Sequence, residues 1–235
     1  MFRLLLLFST LCLSGVFLHS CTRAYERYME AGKSEFQKHE LSKARDSFHK
    51  AVQEGRKNAK QSAELQKALL QELECTKALS LTDESVKVLT ELAAVAGKEK
   101  NFEQAATYKR QIADLYAADG NSYEAESAYN DVLSFLDNAG LPQSRENALA
   151  NFGIADLRKN RKNYKAAVKY MEQACNLLLE INDSDTHLLA TRLHDLAFIY
   201  SELNRDNDAI AADEKAKSIE IGGIGSQVHK IIPKI

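Results

Sequence analysis

The chain has 235 residues, 45% hydrophobic, 27% charged and 8% aromatic, with Lys+Arg 31 against Asp+Glu 33 and a formal net charge of -2. This apolar content excludes a disordered or collagen-like chain, 4 cysteines are too few for a disulfide scaffold, and without a basic excess nothing draws the chain toward nucleic-acid phosphates. With 2 prolines and 10 glycines the chain also lacks the turn signals of an all-β fold, which leaves helix as the default. In chain order, Met1 to Ser20 carries one cation, Arg3, followed by an uncharged apolar run from Leu4 to Leu18. As helix that run reaches roughly 22 Å, short of a hydrocarbon core of about 30 Å, so a removable leader is favoured over a spanning segment. Ten helices are predicted after it, over 22–38, 41–56, 59–80, 83–97, 101–118, 121–138, 144–160, 163–181, 185–203 and 206–219. Punctuation separates them at Gly97, at Gly120-Asn121, at Gly140-Leu141-Pro142, from Asn182 to Asp185 and from Asn204 to Asn207. Asn121, Ser144 and Asp185 are the expected N-caps, each with a side-chain oxygen for an orphan amide. A tail over 221–235 follows, apolar enough to dock on the last hairpin and too glycine-rich for its path to be predicted.

The exit from the leader, Leu18-His19-Ser20-Cys21, resembles the lipobox of bacterial lipoproteins, with Leu at -3 and a small residue before the cysteine; His19 departs from that pattern. The resemblance implies that 1–20 is a lipoprotein signal peptide and that Cys21 becomes the lipid-modified, palmitate-bearing N-terminus. It also implies an address in the bacterial cell envelope, lipid-anchored to a membrane and facing the periplasm, with Thr22 compatible with transfer to the outer membrane. Several acyl chains hold firmly because each buried methylene contributes about 0.8 kcal/mol. Two alternatives stay open: an ordinary cleavage site in which Cys21 is incidental, and an uncleaved segment that anchors the chain. Cys75 and Cys175 lie 100 residues apart without a spacing pattern and are read as small buried apolar residues, a disulfide between them being the alternative.

The helical part repeats itself. Segments 122–132, 164–174 and 206–216 align on Ala125, Ala167 and Ala209, 42 residues apart, and stepping back 39 and then 42 residues reaches Val86 and Ala44. Position +7 from these anchors holds Ala51, Ala93, Val132, Ala174 and Ala216, and position -12 holds Gly32, Glu74, Ala113, Ala155 and Ala197. Small residues on both helices of a pair permit a short interaxial distance, and Phe48, Tyr129 and Met171 at +4 fill the space beside the crossing. Glu74 and Lys77 break the pattern, so the first helix of the second unit is expected to be slipped in register.

The pattern Leu196-Ala197, Tyr200, Ala209, Ala216, together with Ile112-Ala113, Tyr116, Gly120, Ala125, Tyr129, resembles the tetratricopeptide repeat (TPR). Its 42-residue period is similar to the long-helix kind in kinesin light chains. The resemblance implies an all-α fold, a right-handed superhelical solenoid of about five TPR-like hairpins over 21–220. It also implies that the first helices line a groove for a protein or peptide ligand. Carried over by position, the groove residues are Thr107, Arg110 and Asp114; Phe152, Asp156, Lys159 and Asn160; and Thr191, His194, Phe198, Ser201 and Glu202. The competing reading of each is a solvated helix face. The groove is mixed in charge and has no cluster of Lys and Arg to clamp a carboxylate.

Catalytic chemistry has no pattern to stand on. No glycine-rich phosphate loop opens a helix, and His187 and His194 are two turns apart, roughly 10.5 Å, too far for one metal ion. No cofactor, metal or nucleic-acid partner is expected. The reading is a membrane-tethered, non-catalytic interaction scaffold or assembly factor; a small-molecule-binding or enzymatic α-solenoid is the alternative from another class.

Overall fold

The computed structural model describes residues 24–57 and 62–222. Cys21, the leader and the tail after Gly222 lie outside the described residues. Among these residues the fold is all-α, with ten helices and no strand: α1 over 24–37, α2 Leu41–Lys57, α3 Ser62–Ala78, α4 Thr82–Lys98, α5 Phe102–Ala118, α6 Ser122–Asn138, α7 Arg145–Asn160, α8 Tyr164–Glu180, α9 Thr186–Glu202 and α10 Asp206–Gly222. No described helix is long and apolar enough to cross a membrane.

The helices end by one device. His39, Ser80, Lys100, Gly120, Gly140, Lys162, Asn182 and Asn204 each adopt a positive φ between 49° and 78° two residues past a helix. At seven of these joins the next amide reaches back five residues, as in Leu81 N to Thr76 O and Arg205 N to Tyr200 O, while the positive-φ residue reaches back three. That is the Schellman pattern, which satisfies the last carbonyls and reverses the chain within three residues. Only Gly120 and Gly140 adopt the left-handed region without steric cost; the lysines, Ser80 and His39 are held there by the helices on either side. Helix starts are capped by Asn101, Ser144, Asn163 and Asp185, whose side chains accept from the amides of Gln104, Asn147, Ala166 and Leu188. Asn121 begins α6 but makes no side-chain cap, and Gly97 lies inside α4, whose end comes at the positive-φ Lys100.

The chain divides into two compact units, Met1–Lys100 and Asn101–Ile235. In the first, α2 packs on α3 and α3 on α4, while Tyr25 of α1 donates its hydroxyl hydrogen bond to the Glu64 carbonyl of α3 at 2.9 Å. α1 meets α2 where Gly32 lies under the Phe48 ring; a Cβ there would stand 2.6 Å from the ring. In the second, α5/α6, α7/α8 and α9/α10 are antiparallel pairs, and α6 packs on α7 and α8 on α9. Here Gly153 of α7 lies against the phenol ring of Tyr129, with no room for a Cβ between them.

The alanine anchors are buried: Ala44, Ala125, Ala167 and Ala209 each stand three residues into the second helix of a pair. The same place in α4 belongs to Ser85, not to Val86, which is only partly buried. Ser85 is small enough for the crossing, and its buried hydroxyl donates to Thr76 Oγ1 across it at 2.9 Å. With the register corrected by one residue, the +7 place in α4 is Leu92 instead of Ala93, and the -12 place in α3 is Leu73 instead of Glu74. The second pair thus carries Leu73, Ser85 and Leu92 at the three places where, Val132 apart, the other pairs carry Ala or Gly. Cys75 and Cys175 are both free and buried; burial pushes the Cys75 thiol up to about 11 and raises that of Cys175 as well.

Candidate functional site

The first helices of the three pairs in the second unit, α5, α7 and α9, carry most of the residues expected in the groove. Helix periodicity places Arg110 and Asp114 one turn apart, and their side chains join at 2.5 Å. Arg110 also donates through Nε to Glu146 of α7 at 2.6 Å, and Thr107 donates to the same carboxylate at 3.1 Å. Asp114 in turn accepts from the Tyr129 hydroxyl at 2.7 Å. Burial, then the Asp114 carboxylate, hold the Tyr129 phenol well above its ordinary pKa, so it remains a donor.

The same arrangement recurs between α7 and α9. Asp156 accepts from Arg192 at 2.8 Å, Lys159 donates to Asp195 at 2.9 Å, and Lys159 and Arg192 each close a second ion pair at 3.3 Å, with Asp156 and Asp195 respectively. The four groups form a closed ring of alternating charge. One buried oxygen of Asp156, Oδ1, has no hydrogen bond, being engaged only by the Lys159 charge.

In the last pair, His194 Nδ1 lies 2.8 Å from Asp213 and Nε2 lies 3.4 Å from Glu220, both on α10. Phe198 is 50% exposed, its ring edge-on to Tyr164 at 6.2 Å between centroids. Asn160, Thr191, Ser201 and Glu202 are exposed around them. Glu202 accepts from the Tyr164 hydroxyl.

Phe152 is the exception. It is 1% exposed and packs in the core with Ala148, Met171 and Leu193, covered by the Arg192 guanidinium 5.0 Å from its ring centre. Its place in the repeat corresponds to Arg110 and His194, but an aromatic ring gains more by burial than by facing water, so α7 turns it inward. It therefore offers no surface to a ligand.

Sequence reasoning passed over Glu146, Arg192 and Asp195, and the signal was available. Arg110 and Glu146, Asp156 and Arg192, and Lys159 and Asp195 are opposite charges each 36 residues apart. That interval is the repeat length less nearly two helical turns, the offset at which neighbouring first helices face each other. Arg110, Lys159 and Arg192 are thus committed within the fold, and a partner contacting them must compete with a carboxylate already in place. Phe198 with Tyr164 is the apolar feature of this face, and His194, Glu202 and Asn160 form a polar rim beside it. Such a cluster resembles the anchor-and-rim composition of protein interfaces.

A family model described as "SNAP: Soluble NSF attachment protein, SNAP" matches residues 13–216. No curated protein matches the chain. Among solved structures, BtubC (BKLC) from P. vanneervenii is similar over 92% of this chain and 94% of its own at 15% identity, with a TM-score of 0.65. The kinesin light chain TPR-like repeats of Podosopora anserina cover 83% of this chain and 93% of their own at 16% identity, with a TM-score of 0.57. A Rap protein complexed with competence and sporulation factor is matched over 84% of this chain and 54% of its own at 17% identity, with a TM-score of 0.55. These likenesses establish the fold as an all-α helical-repeat solenoid of the TPR kind.

The pairing across α5 and α7 is expected to be energetically real. A double-mutant cycle with Arg110→Met and Glu146→Gln should give a coupling of about 1–2 kcal/mol in urea denaturation, as for charged hydrogen bonds largely out of water. A coupling indistinguishable from zero would mean that the two side chains are independently solvated.

Proposed function

The chain belongs to the soluble NSF attachment protein family, and from that premise we propose that it is a non-catalytic scaffold that holds a protein or peptide on its α5, α7 and α9 face. The observation that carries the reading is the half-exposed Phe198 beside Tyr164 and His194, on a face whose other charges are mostly neutralised by one another. A surface of that kind offers an apolar anchor and little long-range field, so it selects by shape and desolvation more than by net charge. The Rap protein to which the chain is similar was solved with a factor bound, which makes ligand holding one use of this architecture.

The leader adds an address to this reading. With Leu4 to Leu18 followed by Leu18-His19-Ser20-Cys21, the scaffold is tethered through lipid on Cys21 to a membrane of the bacterial envelope and faces the periplasm, where it serves assembly of a larger machine.

Two measurements test the parts separately. A palmitate analogue fed to cells should label the wild type and not Cys21→Ser; a wild type without label would remove the tether and leave the scaffold. Photocrosslinkers at His194 and Phe198 should capture one and the same protein or peptide, several-fold more than a crosslinker at the exposed Lys169 of α8. Equal capture at Lys169 would remove this face as the binding surface.

A further inference from the structure

The first unit holds a cleft of about 430 Å³, within the range of about 300–1,000 Å³ usual for small-molecule sites. It lies between α2 and α4 with α3 as its floor. Two ion pairs bracket it: Arg45 reaches both oxygens of Glu84 at 3.2 and 3.3 Å, and Arg56 holds Glu91 at 2.9 and 2.5 Å. Eleven residues separate the two arginines on α2, three turns or roughly 16 Å. The lane between them is floored by buried Leu69 and Val88 and by a carboxylate, Glu72, that is 7% exposed.

Glu72 is the unusual group. Its Oε1 lies 2.7 Å from His49 Nδ1, whereas its Oε2 has no hydrogen-bond partner among the described residues. Burial raises its pKa, against the opposing pulls of His49 and Arg56. The lining sets Arg45, Arg56, Lys87 and His49 against Asp46, Glu72, Glu84 and Glu91. Arg45 and Arg56 are engaged by Asp46, Glu84 and Glu91, and Lys87 is exposed on the rim.

We propose that this cleft binds a small organic monocation, with an alkylammonium or guanidinium head against Glu72 Oε2 and an apolar body lying on Leu69 and Val88. The head pairs with the buried Glu72 carboxylate, the body covers the apolar floor, and the two ion pairs limit its length. The site is independent of the α9 surface and does not depend on the scaffold reading.

The test is a methyl chemical-shift titration of the full chain in detergent micelles with 3-methylbutylammonium, beside its neutral isostere 3-methylbutanol. Leu69 and Val88 methyls should shift saturably with the amine, and the alcohol should bind about tenfold or more weakly, because only the amine compensates the buried charge. Glu72→Gln should weaken the amine by a similar factor while the Leu178 methyls in the second unit stay unshifted as the check on folding. Absence of saturation by the amine, or equal affinity for amine and alcohol in the wild type, would overturn the site without relying on any variant. Saturation by a lysine-containing peptide but not by the free amine would also overturn the small-molecule assignment.

Discussion

Close approach of two helices at one small residue is the constraint from which the rest of this structure follows. At two close approaches one partner gives up its side chain, Gly32 beneath Phe48 and Gly153 against Tyr129, so that a ring can occupy the space. Ala44, Ala125, Ala167 and Ala209 hold the equivalent place in the second helices, and Ser85 does so in α4 with a hydroxyl that Thr76 satisfies. Packing at that density leaves no slack, so the length of each helix and the point of each reversal are fixed with it. The nearly uniform 17-residue helices and the repeated positive-φ turns are the backbone's answer to that spacing.

The same regularity shapes the candidate face. Because first helices meet at a fixed offset, a charge on one finds its opposite on the next, and the polar surface of α5, α7 and α9 is largely used in holding the pairs together. What is left for a partner is local: Phe198, the ring of Tyr164, and the imidazole of His194 set between Asp213 and Glu220. In the first unit, by contrast, the ion pairs run between α2 and α4, above α3, and enclose the cleft on whose floor the buried Glu72 lies beside His49. One architecture thus carries two surfaces of different character, one suited to an apolar anchor and one to a compact cation.

Much of the fold was legible because the repeat writes small residues at fixed intervals, and helix boundaries fell within a few residues of those predicted. The errors have particular causes. Val86 was reached by stepping 39 residues back from Ala125, one residue beyond Ser85, although size is what a crossing requires and a hydroxyl is tolerated when a neighbour such as Thr76 accepts from it. Gly97 was read as a stop because glycine so often is one, whereas the turn is made by Lys100, whose sequence gives no hint of a positive φ. Phe152 was assigned by position to a face that its own hydrophobicity keeps it from reaching. The charge ladder was readable in the 36-residue spacing of opposite charges, but the cleft was not, since its lining comes from α2 of the first pair and from α3 and α4, the pair in which the repeat is weakest. Position in a repeat predicts which way a residue faces only while its chemistry agrees with that direction.

The central claim is that a tiny side chain at each crossing is a requirement and not an accident of composition. Urea denaturation of Ala167→Leu beside Lys169→Leu tests it directly, because the two sites are two residues apart on α8, one fully buried and one exposed. Ala167→Leu should lose about 1–3 kcal/mol through forced separation of α7 and α8, with Lys169→Leu within about 0.5 kcal/mol of the wild type. Equal stability of the two variants would show that the helices do not meet where Ala167 stands, and the account built on that contact would be wrong.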